Sequence, residues 1–120
     1  ISNHFIFMQT NLTIAEFLLT DMRAGRIIAA EPFTKARKPA YKLLIDFGPH
    51  IGIKKSSAQI THHYTPESLI GKMVVAVVNF PPRQIADFMS EVLVLGLPDA
   101  EGHIVLLQPD ADVPPGGRVH

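Results

Sequence analysis

The sequence contains no cysteine and no tryptophan, and its formal net charge is zero. Without cysteine there can be no disulfide, no cysteine-ligated zinc and no redox-active dithiol, which suits a reducing compartment and an expected cytoplasmic location. Long apolar runs are also missing. Stretches such as Met73–Val78 and Val92–Leu95 fall far short of the ~20 residues a membrane span requires, so no membrane insertion is expected. Residues 1–12, ISNHFIFMQTNL, lack a basic leading region and a small-residue cleavage site and do not read as a secretory signal. They are set aside as an N-terminal extension, with Met8 as a candidate start and residues 1–8 as a candidate appended stretch. Residues 13–120 are of a length that forms one domain with one core.

The zero net charge conceals an uneven distribution. From Met22 to Lys55 eight basic residues (Arg23, Arg26, Lys35, Arg37, Lys38, Lys42, Lys54, Lys55) stand against two acids, Glu31 and Asp46. From Gln84 to Asp112 there are six acids and no lysine or arginine. A solvated surface explains such a pattern; so does a positive face for a polyanion, because a field follows the arrangement of charges rather than their sum.

Local signals along the chain predict an all-β domain. Thr13-Ile-Ala-Glu16 has the form of a capping box and opens a short helix, Ile14 to Leu19. Met22–Ala30 reads as the first strand, Glu31–Ala40 with its two prolines as a loop, and Tyr41–Phe47 and Gly52–Ile60 as a hairpin around Gly48-Pro49. Thr65 can cap a short helix, with Pro66 at its first position and Gly71 at its exit. Lys72–Phe80 holds a β-branched run suited to a strand buried on both faces, ended by Pro81-Pro82. Gln84–Met89 is expected to be a loop, Ser90–Gly96 a strand, Leu97–Gly102 a turn, Ile104–Gln108 a further short strand and Asp110–Gly117 a tail. Three strands, a short helix and two strands, with added elements at both ends, is the order of an OB-fold, the five-stranded Greek-key barrel.

Catalytic chemistry finds little support. His62 and His63 are adjacent and on an extended backbone point to opposite faces, while His4, His50, His103 and His120 show no ligand spacing, so no metal is expected. No Gly-x-Ser-x-Gly elbow or phosphate-binding glycine loop is present, and Asp99 and Glu101 read as solubility residues in a turn. No cofactor is expected, and the chain reads as a binding module rather than an enzyme. OB-folds use the face of their second and third strands for oligonucleotides, and here that region is the basic one: Lys35, Arg37 and Lys38 in the first loop, then Lys42, Lys54 and Lys55. Cations of this kind gain affinity by releasing counterions from phosphates. Tyr41 and Phe33 are the aromatics available beside them, with core packing as the alternative.

Several segments in order resemble the tRNA-binding domain family. They are Asp21-Met-Arg-Ala-Gly-Arg-Ile27, Lys54-Lys-Ser-Ser-Ala-Gln-Ile60, Tyr64-Thr-Pro-Glu-Ser-Leu-Ile-Gly71, Val75-Ala-Val-Val-Asn-Phe-Pro-Pro82 and Phe88-Met-Ser-Glu-Val-Leu-Val-Leu-Gly96. The Lys-Lys-Ser-Ser-Ala-Gln-Ile and Asn-Phe-Pro-Pro versions resemble the stand-alone CsaA type, described as export-related chaperones. The resemblance implies an OB-fold, a homodimer, a tRNA partner and no catalysis. Carried over residue by residue, it implies that Asn79, Arg83, Ser90 and Glu91 line the RNA site, with Lys54, Lys55, Ser56 and Gln59 opposite. The CsaA likeness implies a second use, binding of unfolded or export-bound polypeptides by apolar pockets around Phe80, Ile85, Phe88 and Met89. This chain departs from the synthetase-type pattern after Asn79, where Arg83 is the one positive charge and Asp87 adds a negative one. For the dimer, Phe17, Leu18 and the Ile104–Leu107 segment lie outside the expected barrel, and the 47% hydrophobic content exceeds what a lone barrel of this size requires.

Overall fold

The computed structural model describes residues 10–120; the extension before Thr10, with its candidate start at Met8 and His4, lies outside the described residues. The elements are α1 (Ile14–Leu18), β1 (Met22–Pro32), β2 (Tyr41–Asp46), β3 (Ile53–Ala58), α2 (Pro66–Leu69), β4 (Met73–Val77), β5 (Arg83–Ile85), β6 (Phe88–Ser90), β7 (Leu93–Val94), β8 (Gly96–Pro98) and β9 (Ile104–Leu106). One antiparallel sheet runs in the order β3-β2-β1-β4-β7 and curls into a nearly closed barrel, the expected OB-fold, with α2 between the third and fourth barrel strands.

Curling depends on β1. Its first half pairs with β4, from Met22 opposite Val77 to Arg26 opposite Met73, and its second half pairs with β2, from Arg26 opposite Asp46 to Pro32 opposite Tyr41. The register slips between Ile27 and Ala29. That bulge adds one residue to one strand, bends it and increases its twist, so β1 serves both walls. Inside, alternate residues of β2 (Tyr41, Leu43, Ile45) meet Ile27, Val74, Ala76, Val92 and Phe47. Leu69 of α2 is fully buried among them and stoppers one end. Gly25 has to be glycine for this packing: a Cβ there would lie 2.6 Å from the Phe47 ring and 2.7 Å from Ile45.

Three regions differ from the sequence expectation. Ser90–Gly96, expected as one strand, is divided among the end of β6, β7 and the start of β8, and Leu97 and Pro98, expected in a turn, pair with β9. Arg83–Ser90, expected to hold a loop, is a β-hairpin in which Arg83 pairs with Ser90 and Ile85 with Phe88. Its turn uses Ala86 at φ 54, a conformation costly for a residue with a Cβ, so neither glycine nor asparagine announces it. The Asp110–Gly117 tail is fastened rather than loose. Gly116 N–H donates to Ala24 O at 2.7 Å, Ala24 N–H to Gly117 O at 2.9 Å and Val119 N–H to Met22 O at 2.8 Å. Gly116 takes φ 94 and lets its backbone approach Phe47 O, where a Cβ would sit 2.5 Å away.

Candidate nucleic-acid interface and adjoining groove

The last side of the barrel, between β3 and the Ser90–Val92 segment leading into β7, is closed largely by side chains. Lys55 N–H donates to Glu91 Oε1 at 2.9 Å, and Glu91 N–H returns a bond to Lys55 O at 2.8 Å. Ser57 N–H donates to Ser90 Oγ at 3.0 Å, and the buried Ser56 hydroxyl donates to Val92 O at 3.1 Å. Ser56, Ser90 and Glu91, expected beside RNA, thus satisfy backbone groups of the seam. Asn79 is similarly engaged: its Oδ1 accepts from Asp21 N–H and its Nδ2 donates to Leu19 O, tying the α1–β1 connection to the end of β4.

The cations separate by strand alternation. Lys54 stands opposite Ile45 and Lys55 opposite Leu44, so these neighbours point to opposite sides of β3, since side chains alternate along a strand. On the outer side, Lys42 Nζ sits 4.9 Å from the Phe33 ring centroid and 5.2 Å from that of Phe88, and Lys55 Nζ sits 5.5 Å from Phe88. Phe33 and Phe88 meet edge to face at 5.3 Å. Phe33 and Tyr41 are themselves buried, so Phe88, half-buried on β6, supplies the aromatic surface beside the two lysines. Lys35 reaches Asp87 at the hairpin turn at 2.6 Å and holds that carboxyl below its usual range. Arg37 and Lys38 are exposed in the loop before β2.

Beside this face runs an apolar groove of about 690 Å³, walled by the β5–β6 hairpin on one side and the β8–β9 hairpin on the other. Phe80, Ile85, Val92, Leu95, Ile104 and Leu106 line it, with Gln59, Arg83 and Ser90 as polar points. Of the four apolar residues expected to hold a polypeptide, Phe80 and Ile85 line the groove. Phe88 turns instead to the lysines, and Met89 lies on the opposite side of the hairpin from Ser90 by alternation along β6. Phe80 is 53% exposed, unusual for a phenylalanine within a fold.

The β8–β9 hairpin is bolted to the loop after β3. Tyr41 Oη donates to Tyr64 O at 2.7 Å, and Leu106 N–H donates to Tyr64 Oη at 2.9 Å. Asp99 accepts from the N–H groups of Glu101 and His103 and pairs with His63 Nε2 at 2.7 Å. The His63 bond first, then those N–H groups, lower its carboxyl from the ordinary 3.8 to about 2. His62 stacks on His103 with centroids 3.6 Å apart and planes within 6°. Sequence spacing gave no hint of this cluster, because His62 and His103 lie on different loops and only the fold brings them together.

α1 is attached mainly by polar bonds, including Arg118 Nη2 to Leu18 O at 2.8 Å. None of its residues is buried; Ile14 is 76% exposed and Leu19, its cap, 75%. Leu93, Leu97 and Val105 on and beside the C-terminal hairpin are also exposed. No helix among the described residues is long and apolar enough to cross a membrane.

Residues 22–118 match the sequence profile of a family described as "Putative tRNA binding domain". The solved structure of chaperone CsaA from Bacillus anthracis strain Ames superimposes with a TM-score of 0.84 at 53% identity, covering 91% of this chain and 98% of that one. The CsaA chaperone of Picrophilus torridus gives 0.85 at 50% identity, covering 91% and 99%. Among curated sequences, the methionine–tRNA ligase of Porphyromonas gingivalis strain ATCC 33277 is 35% identical over 109 residues, which are 91% of this chain and 16% of the ligase. The chain therefore spans about a sixth of the length of that relative.

Proposed function

The chain belongs to the tRNA-binding domain family, and from that premise we propose that it binds tRNA through the outer face of β2 and β3, reading backbone and shape and performing no reaction of its own. The observation that carries this reading is the placement of both Lys42 and Lys55 beside the Phe88 ring. Cations clustered on one face suit a phosphate backbone, and the half-buried Phe88 is the aromatic beside them. Arg37 and Lys38 extend the charge along the loop, and Arg83 and Gln59 extend polar contacts toward the groove. Ser56, Ser90 and Glu91 support this face by holding the barrel closed, and Asn79 ties the α1–β1 connection to the end of β4; Lys54 stands on the other side of β3. The exposed apolar surface of α1 and of the C-terminal hairpin supports a homodimer, which would carry two such faces and raise avidity for a large RNA. Both proposed partners, tRNA and unfolded or export-bound polypeptides, support the expected cytoplasmic location.

Titration of bulk tRNA onto the protein across a salt series tests the reading. Affinity is expected to fall with log salt at a slope of about 0.7–0.9 per phosphate engaged. Lys42→Glu with Lys55→Glu is expected to weaken unrelated tRNAs alike, on the order of tenfold or more. An unchanged affinity would sink the proposed face.

The apolar groove favours a second reading, capture of unfolded polypeptide, as the names of the two CsaA structures suggest for those proteins. Phe80 and Ile85 are the residues to truncate, and binding of an unfolded client that survives Phe80→Ser would remove the groove from consideration.

A further inference from the structure

Beyond the Lys42–Phe88–Lys55 face lies a second hollow of about 620 Å³, lined by Lys38, Gln59, Thr61, His62 and His103 with the backbone of Gly102. We propose that this hollow is a nucleobase-stacking subsite, in which one unpaired nucleotide of a bound RNA lays its base on the His62–His103 stack and its phosphate beside Lys38.

Four features support the assignment. His62 is exposed and already stacked on His103 with planes within 6°, which offers a base a flat π-surface continuing an existing stack. The ring is held in place before any ligand arrives. His63 packs against His62 edge to face at 4.9 Å, and Asp99 fixes His63 at 2.7 Å, so little side-chain freedom is left to lose on binding. Gln59 is exposed and brings two N–H donors and one carbonyl acceptor, the equipment for reading a base edge. Finally, Gln59 also lines the apolar groove, so the hollow adjoins the groove that runs beside the proposed face. Sequence-tolerant recognition of unpaired nucleotides commonly combines aromatic stacking with a flanking cation. The acid groups near the stack, Asp99 and Glu101, lie in the turn that carries His103; Asp99 is turned to His63 and to backbone N–H groups rather than to the hollow.

The inference rests on the RNA-binding reading, and its test separates the two. Fluorescence anisotropy would measure the affinity of the full chain for bulk tRNA and for a short single-stranded adenylate oligomer at fixed salt. His62→Ala is expected to weaken the oligomer on the order of tenfold, the scale of one base–aromatic stack, whereas His62→Phe, which keeps a flat ring, retains most of the affinity. Lys38→Ala is expected to lower the salt slope by about one phosphate, 0.7 for a single strand. If His62→Ala and His103→Ala bind the oligomer as the unaltered protein does, the subsite is wrong while the Lys42–Lys55 face stands. The same follows if the unaltered protein binds tRNA but not the oligomer. A loss in His62→Phe equal to that in His62→Ala rejects stacking. Binding to neither RNA overturns both readings.

Discussion

The barrel has two kinds of wall. Across β1, β2 and β4 the strands are joined by regular main-chain ladders over a packed apolar core. Across the β3–β7 seam, one main-chain bond is supplemented by the side chains of Glu91, Ser90 and Ser56. Each wall satisfies its backbone donors, as buried polar groups require, yet the means differ in what they permit. A ladder fixes two strands along their length. A few side chains can close a gap while leaving room alongside, and the groove and the lysine–phenylalanine face both lie next to that gap. The proposed binding surfaces thus adjoin the side-chain-closed seam, while the packed core lies behind the ladders.

Truncation measures the contrast most directly. Phe47→Ala, which empties the centre of the ladder side, is expected to cost about 3–5 kcal/mol in urea unfolding. Glu91→Ala removes the acceptor for Lys55 N–H and is expected to cost about 1–3 kcal/mol. It should speed hydrogen exchange at the Lys55 amide while leaving the salt slope of tRNA binding unchanged. An order of effects opposite to this would make the seam, not the core, the principal support. The smallest effect belongs to the turn beyond the seam. Asp99, lowered to about 2 mainly by His63, has a folded value below its unfolded one. The stability it contributes is therefore present above about pH 4 and lost as pH falls through the folded value. Asp99→Asn should flatten the thermal midpoint against pH across that interval. A slope as steep as before would show that the bond to His63 is not formed in solution.

The ladder side was legible from residues alone, because β2 alternates apolar and polar residues and β4 is a continuous β-branched run between Gly71 and Pro81-Pro82. Strand ends were read to within a few residues: β1 extends to Pro32 instead of Ala30, and β4 stops at Val77 instead of Phe80. The β5–β6 hairpin escaped notice because its strands are three residues each and its turn is built on an alanine. The binding side was legible in composition but not in arrangement. A basic region was evident, whereas strand phase, which divides Lys54 from Lys55, decides which cations share a face. Ser90 and Glu91 could be matched to a family pattern without revealing that they hold the barrel shut. The stacking of His62 on His103 arises from tertiary packing alone and had no local signature.

The docked tail has a consequence for the order in which the molecule is completed. The main-chain bonds that join Ala24 to Gly116 and Gly117 link residues far apart in the chain, so this flank of β1 keeps those groups unpaired until the C-terminal segment docks. Contacts of such separation delay folding, since chain entropy is lost before they form. The first half of β1 is thus among the last elements to be finished, and until the segment docks it presents an edge on which another extended chain can pair.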